Sequence, residues 1–156
     1  MNPEMKIIRE VSDQAEEFYA DAVRLGDHAA IALKAAHRSQ MTSLENIAES
    51  TFKTSDVFDY IKKQTARFLY WRQPLPEQKG SNQGFGEQLR NYLETNLRGN
   101  LKTVCERLAI RDDTDEQRQE RRRIHLLLMR QFIRQMVVEY EFQVSLGSGN
   151  SKKKGP

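Results

Sequence analysis

The chain has 156 residues, 25 of them Lys or Arg against 22 Asp or Glu, and a formal net charge of +3. With 38% hydrophobic and 30% charged residues, it is too apolar for a disordered chain and fits one soluble, charge-rich domain. The single Cys105 excludes a disulfide framework and a cysteine-built zinc site. The start, MNPEMKIIREV, lacks the apolar run of a signal peptide, and no stretch approaches the roughly 18 apolar residues of a membrane span. A cytoplasmic protein with no membrane contact is expected. Up to Gln40 there are 5 basic and 7 acidic residues and afterwards 20 and 15, so positive charge is concentrated late, and Lys152, Lys153 and Lys154 account for the net value.

Asn2-Pro3 is a helix-start signal. From there Val11, Ala15, Phe18, Ala22, Leu25, Ala29, Ala32 and Ala36 alternate spacings of four and three, a helical seam whose alanines suit close helix–helix approach. Gly26-Asp27 either kinks one long helix over residues 4–40 or ends one helix and caps the next. Thr42 and Glu45 have capping-box spacing ahead of a short helix to about Ser50. Thr54 or Ser55 opens SDVFDYIKKQTARFLYWR, in which Val57, Phe58, Ile61, Phe68 and Leu69 share a face until Pro74 and Pro76 end it. QPLPEQKGSNQG reads as an exposed connection.

Phe85, Leu89, Tyr92, Leu93 and Leu97 form the next amphipathic helix. Gly99-Asn100 is expected to break it before a further helix carrying Leu101, Val104, Cys105 and Leu108. Asp113 and Glu116 repeat the capping-box spacing ahead of a long final helix expected to reach about Val144. No strand-like alternation or internal repeat occurs. The expectation is an all-α bundle of about five to six helices with a long C-terminal helix, a single domain over 1–146 and a flexible basic tail over 147–156.

Two constellations on these helices suggest a ligand. In RQERRRIHLLLMRQFIR, from Arg118 to Arg134, a helical projection gathers Arg123, Arg130 and Arg134 in a narrow arc, opposite Ile124, Leu128, Phe132 and Met136. The three arginines span roughly 16 Å at helical rise, enough for two or three phosphates of one strand. Their alternative role is salt bridging, to Glu120 one turn earlier or to a neighbouring helix. The second constellation is Tyr60, Lys63, Arg67, Tyr70 and Trp71, which project to one side; cations meet phosphates and rings stack on bases of any sequence. Alternatively Tyr70 and Trp71 pack on a neighbouring helix while Lys63 and Arg67 are solvated.

Catalytic chemistry is not expected: there is no phosphate loop and no nucleophile elbow. A di-iron bundle needs Glu-x-x-His pairs, but Leu25, Lys34 and Arg122 precede His28, His37 and His125 by three. His28 and His37 are expected to be surface or partly buried polar residues. No metal site and no cofactor are expected.

The layout of long helices with basic faces, together with RRRIHLLLMRQFIRQMVVEYEF, resembles the small subunit of CRISPR effector complexes, in particular the helical small-subunit portion of the type I-D large subunit. The resemblance implies copies stacked within a multisubunit complex alongside other subunits. It also implies contact with DNA and guide RNA, through the backbone of the guide–target duplex or through the displaced strand. On this reading Arg123, Arg130 and Arg134 hold phosphates, Lys63 and Arg67 extend the track, and Tyr70 or Trp71 stacks on bases. The alternative is a helical adaptor that binds partner proteins through its apolar seams.

Overall fold

The structure, a computed structural model, describes residues 1–75 and 83–153, with side chains described as far as 147. It is an all-α bundle, and no strand occurs among the described residues. The helices are α1 (Pro3–Glu17), α2 (Tyr19–Leu33), α3 (Arg38–Ser50), α4 (Thr54–Arg67), α5 (Phe85–Asn91), α6 (Leu97–Arg107) and α7 (Asp115–Lys153). Single 3-10 turns at Ala35–His37 and Leu69–Arg72 follow α2 and α4, and a π turn at Tyr92–Asn96 joins α5 to α6.

The long helix α7 is the spine, touching α1, α2, α3, α4 and α6. Ile124, Leu128, Phe132 and Met136 are fully buried as their spacing predicts, and Met129, Ile133 and Tyr140 are buried with them. A helix apolar around so much of its circumference needs neighbours on several sides. Pairs of Arg123 with Glu4 and Gln135 with Ala15 set α1 parallel to α7, whereas Arg134 with Glu49 and Arg38 with Glu141 set α3 antiparallel.

The seam from Val11 to Ala32 is buried throughout, while Ala36 is exposed. The break between α1 and α2 falls at Phe18, not at Gly26-Asp27. Phe18 leaves helical geometry (φ −96°, ψ 5°) and is buried edge-on against Phe132 with ring centroids 5.5 Å apart, so the chain bends where its largest seam residue docks on α7. Gly26 instead lies inside α2, where a Cβ would stand 2.6 Å from the Met136 carbonyl oxygen and 2.7 Å from the Glu139 Cβ. Glycine and the fully buried Ala22 and Ala29 let α2 and α7 approach this closely.

Several helix ends differ from expectation. Helix α3 starts at Arg38, one turn before the Thr42–Glu45 pair, and Thr42 Oγ1 donates back to the Arg38 carbonyl at 3.3 Å instead of capping. Helix α4 stops at Arg67, because Phe68 turns extended (φ −125°, ψ 124°). That turn rotates the residues after it, leaving Leu69 76% exposed and Trp71 fully buried. The helix passes through Gly99-Asn100 unbroken; its irregularity is the π turn, and Asn100 Nδ2 donates to Gln14 Oε1 of α1 at 2.8 Å. At the start of α7 the Gln117 amide donates to Thr114 Oγ1 at 3.2 Å, which moves the cap one residue from the expected Asp113.

Helix α7 continues to Lys153, past the expected end near Val144. Residues 154–156 and the side chains after 147, where the basic tail was expected, lie outside the described residues, as does 76–82 of the expected exposed connection. The described ends of that connection meet: the Phe85 amide donates to the Gln73 carbonyl at 3.2 Å, and Gly84 lies so near Arg72 that a Cβ would come within 2.1 Å of its carbonyl carbon. No described helix is long and apolar enough to cross a membrane.

Candidate nucleic-acid interface

The arginine line on α7 lies along one side of the bundle, and each of its members is engaged within the protein. Arg123 forks onto both Glu4 oxygens at 3.2 and 2.7 Å and also reaches Glu120 at 3.0 Å. The hydrogen bonds to Glu120 and then Glu4 push its guanidinium still further up from its ordinary value. Arg130 donates to the carbonyls of Ala48 at 2.6 Å and Thr51 at 2.7 Å, at the C-terminal end of α3. Arg134 meets Glu49 at 2.6 Å. The salt-bridging alternative therefore describes Arg123 and Arg134, and Arg130 adds a capping role that periodicity alone does not reveal.

The second constellation is divided. Lys63 and Arg67 are exposed on α4, with the Arg67 guanidinium carbon 5.5 Å from the centre of the Phe68 ring. Tyr70 is half-buried, stacked between His37 and Phe68. Trp71 is fully buried against Phe85 and donates to Gln40 Oε1 at 2.6 Å. A ring enclosed on all sides has no face for a base, so the expectation that Trp71 stacks on nucleic acid is corrected by its burial.

Beside the arginine line is a groove of about 660 Å³ between α7 and the α3–α4 turn. Lys53, Arg122, Arg123 and Arg130 bring cations to it, Phe52, Leu126 and Leu127 bring apolar surface, and none of its lining residues is acidic. Thr54 and Ser55, the first residues of α4, form part of its wall, and no side chain caps that helix start. The positive end of the helix dipole adds to the side-chain charge there, opposed by Asp56 in the first turn. A smaller hollow of about 160 Å³ shares Leu127 and Arg130 with the groove and is lined further by Ile8, Arg134 and the Glu49 carboxylate that Arg134 pairs with. None of Lys63, Arg67, Tyr70 and Trp71 lines either cavity.

Among the groove residues that the sequence did not single out are Phe52, Lys53 and Arg122. Phe52 is 95% exposed at the groove's edge. Arg122 is exposed and holds no ion pair among the described residues, and the Lys53 ammonium stands 3.8 Å from Asp56. The signal in the sequence was faint, an aromatic beside a lysine in a short Ser/Thr-rich turn and the middle member of an arginine triplet.

His28 and His125 serve the fold. His28, expected at the surface or partly buried, is fully buried with Nε2 2.8 Å from the Gln73 carbonyl oxygen, tying α2 to the connection after α4. His125 Nε2 lies 2.9 Å from the Leu93 carbonyl within the π turn, and burial pushes its pKa down, so a neutral ring donates there. No cluster of metal-ligating side chains occurs among the described residues. The fold and groove define a helical bundle with a cationic, partly apolar groove on one side. The chain matches no protein-family model, no curated protein and no solved structure.

Proposed function

We propose that the protein is a nonenzymatic, cytoplasmic small subunit of a CRISPR-type ribonucleoprotein effector complex. In this role it binds the nucleic-acid backbone, of the guide–target duplex or the displaced DNA strand, and stacks with further copies and other subunits. The observation that carries the binding role is the groove, where four cations, an uncapped helix start and the exposed Phe52 ring line a channel without a carboxylate. Phosphates are drawn by charge, and an aromatic edge tolerates any base. Arg122 and Lys53 meet the strand first; Arg123, held by Glu4 and Glu120, and Arg130, held at the end of α3, shape the wall.

The test is anisotropy of a labelled single-stranded oligonucleotide, titrated at several salt concentrations with wild type and with Lys53→Glu/Arg122→Glu. The variant should bind at least about tenfold more weakly, and its salt slope should be shallower by about 0.7 for each phosphate that the variant no longer neutralises. Equal affinity and slope would overturn the groove assignment. Assembly is tested by native mass measurement of the complex reconstituted with guide RNA, where several copies are expected.

The adaptor reading is favoured by a different observation. Val138, Phe142 and Leu146, spaced four apart on α7, are 63%, 56% and 48% exposed and make an apolar stripe available to a partner helix. Self-association that is independent of nucleic acid and lost in Phe142→Glu, with no oligonucleotide binding, would replace the first reading by this one.

A further inference from the structure

His37 ends a column of flat groups on the surface of the bundle. The Arg67 guanidinium lies 5.5 Å from the Phe68 ring centre, Phe68 lies 5.2 Å from Tyr70 at 23°, and Tyr70 lies 3.8 Å from His37 at 6°. Aromatic pairs in proteins favour offset or edge-on contact, as Phe18 with Phe132 at 64° shows here, and the other stacked core pair, Tyr92 with Phe132, is wider at 4.5 Å and 23°. The His37–Tyr70 pair instead has nearly the spacing and tilt of stacked bases.

The column is held from behind. Tyr70 Oη accepts from Gln40 Nε2 at 2.5 Å, Gln40 Oε1 accepts from the buried Trp71 indole at 2.6 Å, and Tyr60 Oη donates to the Gln40 carbonyl at 2.9 Å. His37 is placed by backbone, not by a polar anchor. Lys34 turns the chain with φ 55°, a left-handed value costly for a residue with a side chain, and its carbonyl accepts from the buried Tyr140 hydroxyl at 2.5 Å. Neither ring nitrogen of His37 has a hydrogen-bond partner among the described residues. His37 is half-buried, its sequence neighbours Ala35 and Ala36 are exposed and too short to cover it, and of the flanking cations Lys34 is exposed while Arg38 pairs with Glu141 at 3.0 Å.

We propose that His37 is a stacking seat for an unpaired nucleobase, which extends the Phe68–Tyr70–His37 column while Lys34 meets the adjoining phosphate. The proposal rests on the nucleic-acid reading above and adds a preference for single strands, because a paired base does not offer its face. A preformed platform loses little order on binding, and each stacked base contributes without regard to sequence.

The test uses a single strand carrying one fluorescent adenine analogue, its fully paired duplex as control, and wild type, His37→Ala, His37→Phe and Lys53→Glu/Arg122→Glu. Wild type and His37→Phe should quench the analogue in the single strand and leave the duplex unquenched. His37→Ala should lose the quench and roughly tenfold in affinity. Imidazole proton resonances of His37 are followed in parallel while adenosine monophosphate is titrated, and they should shift. If His37→Ala quenches and binds like wild type while the groove variant fails to bind, the stacking seat falls and the groove stands. If adenosine monophosphate shifts His37 but no strand binds any form, the seat stands and the groove reading falls. Neither a shift nor a quench overturns the seat outright.

Discussion

Arg130 of α7 reaches across to Ala48 of α3, its Nε donating to the Ala48 carbonyl oxygen at 2.6 Å. A second nitrogen of the same guanidinium donates to the Thr51 carbonyl at 2.7 Å, so one side chain satisfies two acceptors at a helix end that has no intrahelical donors for them. The positive charge also faces the negative end of the α3 dipole. Arg130→Ala should therefore lower stability by about 2 kcal/mol in urea unfolding, the scale of hydrogen bonds from a charged donor. Arg130→Lys should recover only part of this, since an ammonium lacks the planar fork. A loss in Arg130→Ala no larger than that of an exposed surface substitution would contradict the capping role.

Gly26 and Gly99 make opposite predictions under the same substitution. At Gly26 a methyl would press on the Met136 backbone and the Glu139 Cβ, and forcing apart a packed helix pair costs about 1–3 kcal/mol. At Gly99, inside α6, a methyl meets nothing within 4 Å, so alanine's better helix propensity should stabilise by up to about 1 kcal/mol. Thermal melts of Gly26→Ala and Gly99→Ala that shift in the same direction would refute the close α2–α7 contact.

Asp27 stands beside Glu139 at the same helix crossing. Burial first, then a hydrogen bond to Glu139 and its charge, raises the Asp27 pKa from 3.8 to about 6. A carboxyl with a raised pKa in the folded state binds its proton more tightly there than in the unfolded chain. Its contribution is fully present below 3.8 and is lost as the pH rises through about 6. Stability from this site should thus fall between those two values, and Asp27→Asn should flatten that part of the profile. Parallel denaturation profiles for wild type and Asp27→Asn over this range would contradict the raised Asp27 pKa.

Trp71 is the only tryptophan and is fully buried. Its native emission should be blue-shifted, barely quenched by iodide and unchanged in iodide access when an oligonucleotide is bound. Strong native quenching, or direct protection by the oligonucleotide, would return Trp71 to the binding surface.

Much of the architecture was legible because burial obeys helical spacing. The seam from Val11 to Ala32 and the face through Ile124, Leu128, Phe132 and Met136 are buried as read. Helix ends were less legible, since Thr42 and Asp113 carry capping chemistry but the neighbouring turns decide which residue uses it. Leu69 and Trp71 exchange the environments expected of them because one extended residue, Phe68, rotates everything after it.

The sequence by itself determined the all-helical class, the long final helix and the presence of an arginine line, because periodicity and charge placement are local properties of the chain. Only the tertiary structure decided what those arginines do. Apart from Glu120, one turn from Arg123 and legible from spacing, their partners Glu4, Ala48, Thr51 and Glu49 lie 79 to 119 residues away in sequence, and no spacing rule connects groups at that separation. The same packing brings Lys53 and Phe52 beside Arg122, forming a cationic groove from three residues that sequence reasoning had not put together.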